Sequence, residues 1–100
     1  MGDRGNIILN YKENGKIYFY SHWTGSNLGE ILKSALIRGK DRWDDDAYLS
    51  RIIFCEMIKD YVLDDTGFGI STSMGDGGNE IEVDLDKQTV DGISFEEFIK

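Results

Sequence analysis

The chain has 100 residues, 40% of them hydrophobic, a single cysteine and a formal net charge of −8. That bounds it to one domain, residues 1–100, with a modest core that self-association would reinforce, so a homo-oligomer is expected. It also excludes an intramolecular disulfide, a membrane span, a signal-peptide core and a general affinity for nucleic acid, whose phosphates need a basic surface; a soluble cytoplasmic protein is the expectation.

In chain order, Asn14-Gly15 is a type I′ turn signal, because both central residues must take positive φ, and it joins residues 7–13 to residues 16–23 as a β-hairpin. That register puts Ile7, Leu9, Tyr11, Tyr18, Tyr20 and His22 on one face and Ile8, Asn10, Ile17, Phe19, Ser21 and Trp23 on the other. Ser26 and Asn27 suit the N-cap of a helix carrying Leu28, Ile31, Leu32, Ala35 and Leu36, with Gly39 as its stop. Asp44-Asp45-Asp46 opens a second helix that runs to about Tyr61, its carboxylates opposing the positive end of the helix dipole.

After the turn at residues 64–67, Phe68, Ile70, Thr72 and Met74 alternate with small residues. Residues 75–79 turn again, and Ile81, Val83 and Leu85 alternate with carboxylates, a second hairpin with one wet face. A short strand at Thr89-Val90 follows, and Ser94-Phe95-Glu96-Glu97 has capping-box spacing for a final helical turn. The sum is an α+β fold: a mainly antiparallel sheet of two hairpins, two central helices packed on it, and a short C-terminal helix.

Three motifs fall away on inspection. Residues 86–97 have the length of an EF-hand loop, but Gln88, Val90 and Asp91 stand where two oxygen ligands and a glycine are required. One histidine and one cysteine make no zinc pattern, and Cys55 within Ile52-Ile53-Phe54 reads as core. Asp44, Asp45 and Asp46 point in different directions on a helix, which favours capping over magnesium. No cofactor and no metal are expected.

One constellation remains. Residues 1–59 carry nine Lys/Arg against eight Asp/Glu, and residues 60–100 two against eleven, so anion chemistry belongs to the first half. Thr24-Gly25-Ser26 leads into a helix whose first amides lack intrahelical partners, the geometry that accepts phosphate, with His22 and Trp23 beside it; a structural strand-to-helix junction reads the same way. On the second helix Tyr48, Arg51, Cys55, Ile58 and Val62 share a stripe, which embeds Arg51 in an apolar face and demands a phosphate or an internal carboxylate such as Asp44 or Glu30. Arg42-Trp43 offers a donor fork and an indole, or a surface Arg and a core Trp. Gly69, Ser71 and Ser73 form a small-residue face, and Thr66 adds a hydroxyl. Stacking rings (Trp23, Trp43, Tyr48) with phosphate donors compose a nucleotide pocket that lacks a general base or nucleophile, hence binding without turnover.

The runs YFYSHWTGSNLGEIL, RWDDDAYLSRIIFCEMI and TGFGISTSMGD resemble a family of small phage and bacterial proteins over residues 16–86 and are similar to the phage anti-CBASS sponge proteins. The resemblance implies a non-enzymatic, oligomeric protein that sequesters a cyclic di- or trinucleotide so that host defence is not switched on. Its pocket would draw on His22, Trp23, Thr24, Gly25, Arg42, Trp43, Asp44, Arg51, Thr66, Gly67 and Ser71. Asp46, the 75–79 turn and the tail after Asp86 lie outside the matched pattern. A rival class is an acidic anti-defence inhibitor whose Glu80, Glu82, Asp84 and Asp86 dock where phosphates would. A hydrolase using His22 and Asp44 is the third.

Overall fold

A computed structural model describes residues 2–13, 15–75 and 77–100. Six strands, β1 (Gly5–Tyr11), β2 (Gly15–Ser21), β3 (Phe68–Ser71), β4 (Asn79–Asp84), β5 (Thr89–Val90) and β6 (Ile93–Ser94), form one sheet in the order β3-β2-β1-β4-β5-β6. Alternation explains why they layer: Ile7, Leu9, Phe19 and Val83 point to one side and are at most 1% exposed. Three helices, α1 (Leu28–Arg38), α2 (Asp46–Ile58) and α3 (Phe95–Phe98), cover that side through Leu28, Leu32, Leu36, Leu49, Ile53, Met57 and Phe95. The α+β class, the two central helices and the short C-terminal helix are as the sequence indicates.

Local chemistry sets the helix ends. The Gly39 amide donates to the Ala35 carbonyl at 2.8 Å, closing α1. The Asp45 carboxylate accepts the Tyr48 amide at 3.0 Å, and Ser94 Oγ accepts the Glu97 amide at 3.3 Å. Helix α2 stops at Ile58, short of Tyr61, and residues 59–63 continue as turns.

Strand pairing departs from the sequence reading in two places. Tyr11 pairs with Gly15, so Gly15 belongs to β2 and the two-residue Asn14-Gly15 turn does not set the register; Asn14 itself lies outside the described residues. Lys12 takes a positive φ, at 56°. The resulting pairs are Ile7↔Phe19 and Leu9↔Ile17, odd with odd. This odd-numbered shift turns every β2 side chain over: Phe19 and Ser21 join Ile7 on the covered face, while Tyr18 and Tyr20 join Ile8 and Asn10 on the other.

The second departure concerns residues 68–85. Their two strands do not pair with each other: β3 lies antiparallel on β2, and β4 lies parallel on β1, with Ile7↔Ile81 and Leu9↔Val83. The second hairpin is β4 with β5, through Val83↔Val90. A connection from β3 to β4 must therefore recross the sheet, and it does so over the uncovered face. Asn6, fully buried, holds it there, accepting the Gly75 amide at 3.1 Å and donating to the Gly75 carbonyl at 3.4 Å. The expected 75–79 turn includes Asp76, outside the described residues.

Candidate functional site

The candidate residues separate into two groups at opposite ends of α2, whose 13 residues span about 20 Å. His22, Trp23, Thr24, Gly25, Thr66 and Gly67 meet near its C-terminal end. Arg42, Trp43 and Tyr48 sit at its N-terminal end, and Ser71 is exposed on the uncovered sheet face. The single pocket that the sequence reading assembles from them is therefore not formed within one copy of the chain.

At the first end, the His22 amide donates to the Gly67 carbonyl at 2.8 Å, and the Tyr20 hydroxyl meets His22 Nδ1 at 3.0 Å. Trp23 is 47% exposed and packs edge-on against Phe68 at 5.8 Å, with Tyr61 at 6.4 Å. Gly67, at φ +96°, lets the indole lie directly on the backbone, where any Cβ would overlap the ring. Thr66 is exposed.

The expected phosphate cradle is filled by the chain itself. Gly25 donates its amide to the Asp3 carbonyl at 2.6 Å, and Ser26 donates its amide to both Asp3 carboxylate oxygens at 3.0 Å and its hydroxyl to one of them at 2.5 Å. Thr24 shares a 2.6 Å hydrogen bond with the buried Ser21 hydroxyl. Asp3 is thus the anion at this positively polarised start of the helix. The Ser26 hydroxyl, then the Ser26 amide, hold its carboxyl below the ordinary value. Gly25 is required because the Arg4 carbonyl occupies the space a Cβ would take. Nothing in the sequence marked Asp3, 23 residues from its partner.

The second correction is Arg51. It is exposed rather than embedded, and its guanidinium reaches the Cys55 sulfur at 3.8 Å. The buried stripe of α2 is Leu49, Ile53, Glu56 and Met57, one step round from Tyr48, Arg51, Cys55, Ile58 and Val62. The buried charge on α2 is instead a carboxylate: Glu56, 9% exposed, is held by Arg38 and, at 3.1 Å, by Lys59, both of which stay more than half exposed. Arg42 stacks over Tyr48, 5.3 Å from the ring centre. Trp43 is a core residue, donating its indole N–H to the Leu36 carbonyl at 3.0 Å and meeting Phe95 edge-on at 5.1 Å.

A groove of ≈ 270 Å³ runs beside Thr24 between α1 and the end of α2, and its charged lining is Glu30, Glu56, Asp60 and Lys59. A hollow of ≈ 470 Å³ lies on the uncovered sheet face, lined by Asn10, Glu82, Asp84, Lys87, Thr89, Asp91 and Gly92. There Asn10 donates to Glu82 at 2.6 Å. Register places Glu80, Glu82 and Asp84 beside Asn6, Ile8 and Asn10 on that face, three carboxylates repeating every ~6.6 Å along one strand. Among the described residues, no group of three or more His, Cys, Asp or Glu side chains is placed to hold a metal ion, and no helix is long and apolar enough to cross a membrane.

Comparisons with protein-family models, with curated proteins and with solved structures give no match to this chain.

Proposed function

We propose that the chain is a non-enzymatic binding protein that docks its uncovered, carboxylate-lined sheet face on a basic, phosphate-reading surface of another protein. In the setting implied by the sequence resemblance, it is an acidic inhibitor of a nucleic-acid-handling defence factor. The observation that carries this reading is the placement of Glu80, Glu82 and Asp84 in one row on the sheet face that no helix covers. Glu82 and Asp84 share a hollow with Asp91 and Lys87, three carboxylates against one lysine, a net negative lining that complements a site built for phosphates. Tyr18, half-buried on the same face, adds an amphipathic ring of the kind that binding surfaces favour, while Tyr20 is taken up by Gly75 and His22.

The sponge reading draws on one observation: Tyr61, 44% exposed, lines the Thr24 groove, and Trp23, 47% exposed, packs on Tyr61 at 6.4 Å, so two rings offer stacking surfaces there. Its difficulty is electrostatic. Three carboxylates against one lysine line that groove, and the amides meant for phosphate already serve Asp3. A cyclic dinucleotide would enter against its own charge.

Displacement separates the two. A fluorescein-labelled DNA duplex bound to a basic helix-turn-helix domain serves as probe, and the protein is titrated in while anisotropy is followed. Release of duplex that weakens as salt rises supports the acidic reading. Absence of release, together with recovery of intact cyclic oligonucleotide after incubation and heat denaturation, replaces it with the sponge.

A further inference from the structure

The sheet ends at β3 with an edge that nothing among the described residues occupies. The His22 amide bonds to the Gly67 carbonyl, and antiparallel alternation from that pair makes Tyr20↔Gly69 and Tyr18↔Ser71 the hydrogen-bonded pairs. Phe68 and Ile70 therefore turn their N–H and C=O groups outward. Edge strands are ordinarily blunted by charge, proline or a bulge. Here residues 66–74 contain no charged residue and the chain no proline. Ile70 is 57% exposed although it shares the helix side of the sheet with Phe19. Alongside, Tyr61 stacks on Phe68 at 5.4 Å, and the turn it anchors leaves Val62 63% and Leu63 94% exposed. By contrast, the opposite edge, β6, is only two residues long.

We propose that β3 pairs antiparallel with β3 of a second copy, with the two-fold axis at Ile70, giving one sheet continuous through the dimer. The geometry is self-complementary: a residue whose N–H and C=O both face outward can exchange both bonds with its own symmetry mate, as an isologous interface requires. The antiparallel sense also keeps Asp64 and Asp65 of the two copies at opposite ends of the seam, whereas parallel pairing would set them side by side. Covering Ile70, Val62 and Leu63 adds the apolar burial that β-pairing alone lacks. Such an axis stands perpendicular to the sheet, so both carboxylate rows face the same way. The inference holds whether or not those rows bind a basic partner.

Sedimentation velocity over a concentration series tests it. The unmodified chain is expected to show a monomer–dimer equilibrium that tightens with added salt, because two copies of charge −8 repel. Ile70→Lys, at an exposed position, should weaken dimerisation by about tenfold or more. In a Cys55→Ser background, Ile70→Cys should oxidise to a covalent dimer, since paired Cα atoms there lie about 5.5 Å apart, and Lys16→Cys should not. If Ile70→Lys proves unfolded by circular dichroism, the crosslinking result decides. A chain that stays monomeric to about 1 mM, a dimer indifferent to Ile70→Lys, or equal crosslinking at both cysteines overturns the proposal.

Discussion

The two faces of the sheet are made from the same strands and behave as different materials. On β4, Val83 is fully buried under the helices while Glu80 and Glu82, one residue away on either side of Ile81, stand in solvent. The covered face is packed with apolar contacts from β2 across to β5, where Phe19 meets Phe54 at 4.9 Å, and opens towards Ile70 at the β3 edge. The other carries no helix among the described residues: the recrossing segment lies on Asn6 and Tyr20, Ile8 is 8% exposed among its neighbours, and Glu80 and Glu82 stand beyond them in solvent. The covered face is bound by packing to the residues it has, whereas the helix-free one tolerates charge along β4, which is what the proposed docking role uses.

Substitutions should divide along that line. Phe19→Ala removes a 1%-exposed ring from the covered face and should cost about 3–5 kcal/mol of unfolding free energy, measured by urea titration. Asn6→Ala leaves the Gly75 amide and carbonyl without their side-chain partners and should cost about 1–3 kcal/mol. If instead it proves neutral, Asn6 does not fasten the recrossing segment, and the helix-free face is more open than described. Glu80→Gln/Glu82→Gln/Asp84→Asn should change stability by no more than about 1 kcal/mol, because an amide oxygen at position 84 still accepts the Asp86 and Lys87 amides and one at position 82 the Asn10 side-chain amide, and relief of repulsion offsets the weaker bonds.

A smaller effect is expected at the N-terminus. Because Asp3 has a depressed folded-state pKa, its contribution is complete above the ordinary value of 3.8 and disappears as pH falls through the lower folded value. Denaturation midpoints measured between about pH 2 and 5 should therefore drop less steeply in Asp3→Asn than in the parent. Equal slopes would mean that Asp3 does not cap the helix in solution.

Local chemistry was legible in the sequence, and long-range pairing was not. The Asp45 and Ser94 caps and the Gly39 stop act within four residues, so their residue types announce them. The β1–β4 pairing joins residues about seventy positions apart and leaves no trace in either strand's alternation. Asn-Gly gave a strong but misleading register, and one odd-numbered shift sufficed to reverse the faces of β2. Helix α2 is apolar nearly all round, with Ile52, Ile53, Phe54 and Cys55 consecutive, so periodicity allowed two stripes. The true buried stripe contains Glu56, whose partner Arg38 lies 18 residues away, and a charge in that position disguised it. Of the candidate site, the aromatic junction at His22 and Trp23 forms, but Arg42, Trp43 and Tyr48 lie a helix length away.

The most direct test of the functional account compares two variants of equal charge in the duplex-displacement assay. One neutralises the row, Glu80→Gln/Glu82→Gln/Asp84→Asn; the other neutralises three exposed carboxylates elsewhere, Glu13→Gln/Asp60→Asn/Asp64→Asn. A docking role for the helix-free face predicts about tenfold or greater weakening in the first and near-parental displacement in the second. Equal weakening in both would reduce the effect to net charge and contradict the account.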